Sequence, residues 1–381
     1  MKKEHVLKLI VAFIGAVVFG ILLFMANSTS DEDTLTANNF VEYNTGRIVN
    51  VLEDDTDFTD SGFRIGRMVF EVEMLGGTFE GQVLEANYFL FSPACIYLEE
   101  GARVSIMINV YDGEIFDVEV GNPERSETLI AFILFFLVML CAIGGKRGIL
   151  SVLGLTFTIF SIMFLLIPLT LQGYEPILIT VVIITLITTV SLTLLGGVTP
   201  KTVSAILSCI IGAIISAVFA SIIGNIVHIS GYHMEDVGRL VHSTGNAIQI
   251  RGLFISSLLV AAIGAMMDTS MSIASAMEEV KLTNPDITAR RLFKSGFNIG
   301  RDVMGTMSNT LILAFVGSSL NIMLIVFATD VSFNEFINNN FIAMEIIKGI
   351  AGSVGIILTV PITTFIASRL FTMWKVENME D

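Results

Sequence analysis

RGLFISSLLVAAIGAMMDTSMSIASAMEE, residues 251–279, reads as an apolar helix with a carboxylate set inside it. At the helical rise of about 1.5 Å per residue, Asp268 stands about 24 Å along from Gly252, within the depth of a hydrocarbon core about 30 Å thick. An ionisable side chain there costs roughly 2.5 to 3.5 kcal/mol or more, so it is kept where a pathway, a partner or a packed polar interface receives it. This stretch makes the chain an integral membrane protein and gives it a candidate site.

Composition agrees. Apolar residues make up 53% of the chain and the mean hydropathy is +0.78, well above a soluble average. Eight stretches are long enough to cross a bilayer: Leu9 to Ala26, Leu129 to Gly145, Ile149 to Gln172, Ile177 to Gly197, Thr202 to Val227, Gly252 to Met267, Val303 to Thr329 and Gly349 to Ser368. The sixth needs its polar continuation to reach full length. The first follows a charged MKKEH and is read as an anchor, its apolar run being longer than a signal-peptide core. With the amino terminus inside, Lys2, Lys3, Lys146, Arg147, Lys201, Lys281, Arg290, Arg291, Lys294, Arg301, Arg369 and Lys375 all fall on the cytoplasmic side. Arg239, Arg251 and Lys348 fall outside, the last two at helix ends where they snorkel. The expected layout is an anchor at 1–26, an external domain at 27–128, seven helices at 129–372 and a cytoplasmic tail at 373–381, with both termini inside.

Residues 27–128 hold 21 Asp plus Glu against 5 Arg and no Lys, a net of −16 within a chain whose total is −15. Such a surface excludes nucleic acid as a partner. The segments TGRIVNVLE, RMVFEVEML, FEGQVLEANYFL, RVSIMINVY and GEIFDVEV alternate in hydrophobicity, with turn signals at Gly76-Gly77, Gly101 and Asp112-Gly113. Five or six short strands predict a small extracellular all-β barrel of the oligonucleotide/oligosaccharide-binding type. Glu53, Asp54, Asp55, Asp57 and Asp60 lack the spacing and central Gly of a calcium loop and read as a solvated acidic face.

No cofactor or metal is expected. Cys95 has no external partner, and Cys141 and Cys209 lie in spans. His228, His233, Glu235, Asp236 and His242 share one loop, but at spacings that match no established metal pattern. The signatures of intramembrane aspartyl and serine proteases, zinc proteases and P-loop nucleotide enzymes are absent, so the chain does not read as an enzyme.

Two kinds of helix face stand out. Ser204, Ser208, Gly212, Ser216, Ala220 and Gly224 recur every four residues along the fifth span, and Gly349, Gly352 and Gly355 repeat the device in the eighth, ahead of a kink-prone Pro361. These are packing stripes. The other kind is polar: Asp268, Ser272, Ser275 and Glu279 share one face of the sixth helix, beside Glu278. Asn298, Asp302, Gly305 and Asn309 repeat that spacing in the next, with Arg301, Thr306 and Thr310 beside them. The expectation is that the two stripes meet, sheltering Asp268 from lipid.

Three strings carry a resemblance: GGVTPKTVSAI (Gly196 to Ile206), IGAMMDTSMSIASAMEE (Ile263 to Glu279) and SGFNIGRDVMGTMSNTLILAF (Ser295 to Phe315). In the first, Thr199 is placed to cap a helix opened by Pro200. In the third, Gly296, Gly300 and Gly305 suit close backbone approach. The chain resembles the YibE/F family of bacterial multi-pass membrane proteins, more loosely over the external domain and all later spans. The resemblance implies a permease of the bacterial cytoplasmic membrane without an assigned substrate, and a second YibE/F-type subunit or a second copy as partner besides the bilayer. More locally, a buried Asp, a carboxylate pair and a Thr-bearing helix resemble the proton-coupled core of SecD/SecF and the resistance-nodulation-division exporters, against which stand two additional spans and no second homologous half.

The expected function is transport or export of a small molecule or ion. Asp268 exchanges a proton or pairs with a cation, Arg301 and Asp302 tune it, and Glu278 and Glu279 form the cytoplasmic mouth. The alternative is a membrane-anchored scaffold whose barrel binds a partner, with the polar stripes serving only to join helices.

Overall fold

A computed structural model describes residues 19–26, 40–234, 237–244, 248–329 and 331–373. The chain divides into two compact units, Ser30–Met139 and Met1–Thr29 with Leu140–Asp381. Most of the expected first span, the linker up to residue 39, Glu235, Asp236 and the tail beyond 373 lie outside the described residues.

The first unit is a closed barrel of five strands, β1 (Phe40–Phe58), β2 (Arg64–Met74), β3 (Val83–Leu90), β4 (Arg103–Tyr111) and β5 (Glu114–Pro123), in the order β1-β2-β3-β5-β4. β5 therefore lies between β3 and β4 and pairs parallel with β3, a crossed order that a simple meander does not produce. Alternation builds it: Met68, Phe70, Val72 and Met74 of β2 and Val104, Ile106, Ile108 and Val110 of β4 point inward and are buried. β1 pairs with β4 through residues 40–47 and with β2 through residues 46–58, so one strand serves both neighbours. Gly46 sits where it passes between them, because a Cβ there would meet the Val72 and Ile106 side chains. Asp112 and Gly113 both take positive φ, the conformation of a two-residue type I′ hairpin.

The acidic run 53–60 was read as a solvated face, and most of it is strand. Its residues continue β1 as an exposed ribbon paired with the start of β2. There Asp54 accepts a hydrogen bond from Tyr97 Oη at 3.0 Å and faces Arg64 Nη2 at 3.4 Å, while the Arg64 guanidinium lies 4.0 Å from the centre of the Tyr97 ring.

The second unit is helical. Residues 19–26 form α1. A helical run follows as α2 (Ser126–Ser161), a five-residue π-helical turn (Ile162–Leu166) and α3 (Ile167–Leu171). Then come α4 (Pro176–Gly196), α5 (Pro200–Ile226), α6 (Val237–Thr244), α7 (Ile250–Thr283), α8 (Ala289–Ser318), α9 (Leu320–Ala328), α10 (Phe333–Asn338) and α11 (Asn340–Met373). Among the described residues five helices are long and apolar enough to cross a membrane, or six if the bent pair α8 and α9 is one span.

The eight expected spans differ from this in three places. The second and third fall in a single 46-residue helical run. It is broken at Gly145 (φ 55, ψ −133), past which the backbone at Gly148 comes against that of Leu140. The seventh is bent by 59° at Ser319, where α8 gives way to α9. The first lies largely outside the described residues; its last eight, α1, pack Phe19 against Phe157 and Phe160, and Ala26 O accepts from Gln172 Nε2 at 2.7 Å.

α11 packs against α5, α7 and α8 and organises the bundle. All six small residues of the α5 stripe are buried. Gly212 faces Thr359 and the backbone of Gly355, and Ser216 Oγ donates to Ala351 O at 2.8 Å. Gly355 lies against Met266 and Ser216, and Gly352 against Leu311 and Ala262; Gly349 has Ile312 at 3.7 Å. Close approach of helix backbones supplies the dispersion contact that holds helices together in lipid. Pro361 lies within α11, surrounded by Thr359, Thr363 and Thr364, whose hydroxyls bond to carbonyls of their own helix.

Candidate functional site

α7 and α8 run antiparallel, and their contact is made of glycine. A Cβ on Gly296 would meet Met277 and Thr364, and one on Gly300 would meet Ile273 and Val360. Residues 296 and 300 therefore let α8 sit close to both α7 and α11. The polar residues lie on the other sides of the two helices. On α7, Ser257, Ala261, Gly264, Asp268, Ser272 and Glu279 are exposed at helical spacing, with Ser275 half-buried among them. On α8, Asn298, Arg301, Asp302, Gly305, Thr306, Asn309 and Thr310 are exposed.

The expectation that the two stripes meet and shelter Asp268 is therefore not met within one chain. Among the described residues no hydrogen bond or ion pair joins one stripe to the other, and none engages the Asp268 carboxylate. The physical reason is that the glycine and apolar faces take the close contact, which turns the polar faces outward. Thr306 and Thr310 bond back to Val303 O and Thr306 O, each at 2.9 Å. Gly305 serves no close approach, for a Cβ there would meet nothing within 4 Å, and the same is true of Gly264.

Glu278 has a structural partner. Lys201 Nζ lies 2.6 Å from its Oε2, both side chains largely shielded, tying the start of α5 to the far end of α7. Thr199 caps α5 as its sequence suggests, its side chain accepting from Thr202 N at 3.3 Å with Pro200 in the first turn. Glu279 remains exposed beside the pair.

A feature that sequence reading missed opens at the other end of the bundle, where α4 and α7 begin and α5 ends. A cavity of about 690 Å³ is lined there by Glu175, Ser221, Gly224, Asn225, His228, Tyr232 and Arg251, among others. Arg251 is held across it: its guanidinium donates to Asn225 Oδ1 and, at 3.0 Å, to Ser221 O. Gly224 leaves room for this, its Cβ position lying 3.4 Å from Arg251 Nη2. Glu175 caps α4, accepting from Leu178 N at 2.6 Å. One turn further into the bundle, Thr180 on α4 and Ser256 on α7 are buried, with no hydrogen-bond partner for either hydroxyl among the described residues, and Thr188 and Ser191 extend that set along α4. Their neighbours Thr185 and Thr189 instead bond to their own helix. The sequence signal was present in Arg251, but only the fold brings it to one opening with Glu175, Asn225 and His228.

The loop histidines do not converge. His233 faces Asn340 Nδ2 at 3.0 Å and the Phe341 ring, His228 takes a positive φ, and His242 is exposed on α6. Among the described residues no group of three His, Cys, Asp or Glu is placed to hold a metal ion.

Residues 132–373 match the family model described as YibE/F-like protein, a span running from within α2 to the end of α11 and leaving out the barrel. No curated protein and no solved structure matches the chain.

Proposed function

This chain belongs to the YibE/F-like family, and we propose that it is a carrier of the bacterial cytoplasmic membrane that moves an ion or small solute, with Asp268 as its coupling group. The observation that carries this reading is an exposed carboxylate, without a partner among the described residues, on a helix of membrane length. Lipid is an unfavourable neighbour for it, by roughly 2.5 to 3.5 kcal/mol or more. A water-filled groove along α7 and α8, closed by a second family subunit or a second copy of this chain, relieves that cost and creates a polar path. The small residues Ala261 and Gly264 let such a partner approach closely. Arg301 and Asp302 stand on the opposing wall and tune the charge, while the Arg251 cavity is the mouth at the other end. The bias of Lys and Arg toward one set of loops supports an orientation with both termini in the cytoplasm and the barrel outside.

Reaction with a hydrophobic carbodiimide, which modifies protonated carboxyl groups in apolar settings, tests the placement of Asp268. Peptide mapping should find Asp268 labelled, and labelling should fall as pH rises or as a coupling cation is added. Labelling confined to the barrel carboxylates would remove the basis for this function.

The scaffold reading draws on one observation, that the barrel is a compact unit with its own core. A chain with residues 40–123 replaced by a short linker separates the two. Transport persists without the barrel if the chain is a carrier. A scaffold loses its partner on the same deletion and carries no flux in either form.

A further inference from the structure

A second cavity, of about 540 Å³, lies between the start of α8 and the end of α11, lined by Thr288, Ala289, Arg290, Phe293, Phe365, Ser368 and Arg369. Two guanidinium groups from different helices border it, and no carboxylate does. Elsewhere in this unit Lys201 is neutralised by Glu278 and Lys348 by Glu345, each at 2.6 Å. Arg290 and Arg369 have no such partner among the described residues. The Arg369 guanidinium instead lies 5.7 Å from the centre of the Phe365 ring. Phe365 is 56% exposed, so the cavity joins two guanidinium groups, without a carboxylate partner among the described residues, to an aromatic wall that faces outward.

α11 has 34 residues, about 51 Å of helix against a hydrocarbon core of about 30 Å, so its last turns reach the headgroup layer. Guanidinium forks suit phosphate oxygens, and two of them from separate helices define a position for one phosphate. The Thr288 and Ser368 hydroxyls add polar groups at the same rim. We propose that this cavity is a binding site for a phosphate group, supplied by an anionic phospholipid whose acyl chains run along Phe293 and Phe365. The proposal stands apart from Asp268 and from transport.

Thermal unfolding of the full-length protein in an uncharged detergent tests it, with phosphatidylglycerol, phosphatidylcholine or inorganic phosphate added. Phosphatidylglycerol should raise the midpoint saturably and phosphatidylcholine should not. In the double variant Arg290→Gln, Arg369→Gln the half-saturating lipid concentration should rise about tenfold or more. The double variant Arg291→Gln, Lys294→Gln removes the same charge outside the cavity and should respond as wild type. Should the first double variant fail to fold, either of its single substitutions serves. An arginine-dependent response to inorganic phosphate alone would keep the phosphate site and assign it to a soluble ligand. No response to either source, or equal weakening by both double variants, would overturn the proposal.

Discussion

Asp54 in the barrel and Asp268 on α7 are both carboxylates at the surface of their units, and they are held in opposite ways. Asp54 is bound on several sides: Thr56, Tyr97 and Arg64 all reach it, and the Thr56 hydroxyl above all holds its pKa below the ordinary 3.8. Asp268 has no partner among the described residues, although its helix is built to cross lipid. In water a carboxylate needs no protein partner, so the barrel's bonds serve local order. In a bilayer it does need one, so a carboxylate without a partner among the described residues marks a face that a polar neighbour or water must cover. The α5 stripe makes the same point in reverse, because its serines and glycines are all buried and all have neighbours.

Five substitutions, two of them with a companion variant, sharpen that contrast, from the largest effect down. Gly355→Leu drives a side chain into Met266 and Ser216 at the centre of the bundle. Little folded protein should survive size-exclusion chromatography in detergent, whereas Gly264→Leu on the open face should preserve it. In the barrel, Phe70→Ala empties a fully buried position and should cost about 3 to 5 kcal/mol in chemical denaturation. Lys201→Met strips the partner from Glu278 and should cost about 1 to 3 kcal/mol, with Lys201→Met, Glu278→Met recovering much of it. The smallest effects concern barrel titration. Asp54 has a lowered pKa, so its contribution is present above pH 3.8 and fades as pH falls through the folded value; Asp54→Asn should remove that acid-side loss. Glu119 is raised above its ordinary 4.5 by burial and by Asp117, so its contribution is present below that pH and fades as pH rises through the folded value. Glu119→Gln should flatten that second slope in a melting-versus-pH profile.

Much of this was legible because periodicity reports which residues share a face. The strands β2 to β5 and the buried α5 stripe followed from intervals of two and four. What periodicity does not report is what lies opposite. The stripes around Asp268 and Asn309 were correctly assembled along each helix, yet Gly296 and Gly300 decide which side α8 turns toward α7, and that choice belongs to the packing. The exposed end of β1 was missed for a related reason: with both faces of the ribbon in solvent, Asp54 to Phe58 shows no apolar alternation to read. The bend at Ser319 had no proline to announce it. The cavity around Arg251 depends on three helix ends meeting, and no single segment encodes that.

The most direct measurement is proton or cation flux into vesicles containing the purified protein, compared between wild type and Asp268→Asn at matched amounts of folded protein. Flux should be present in the first and absent in the second, with melting in detergent changed by less than about 1 kcal/mol. Equal flux from both proteins would show that the carboxylate on α7 couples nothing.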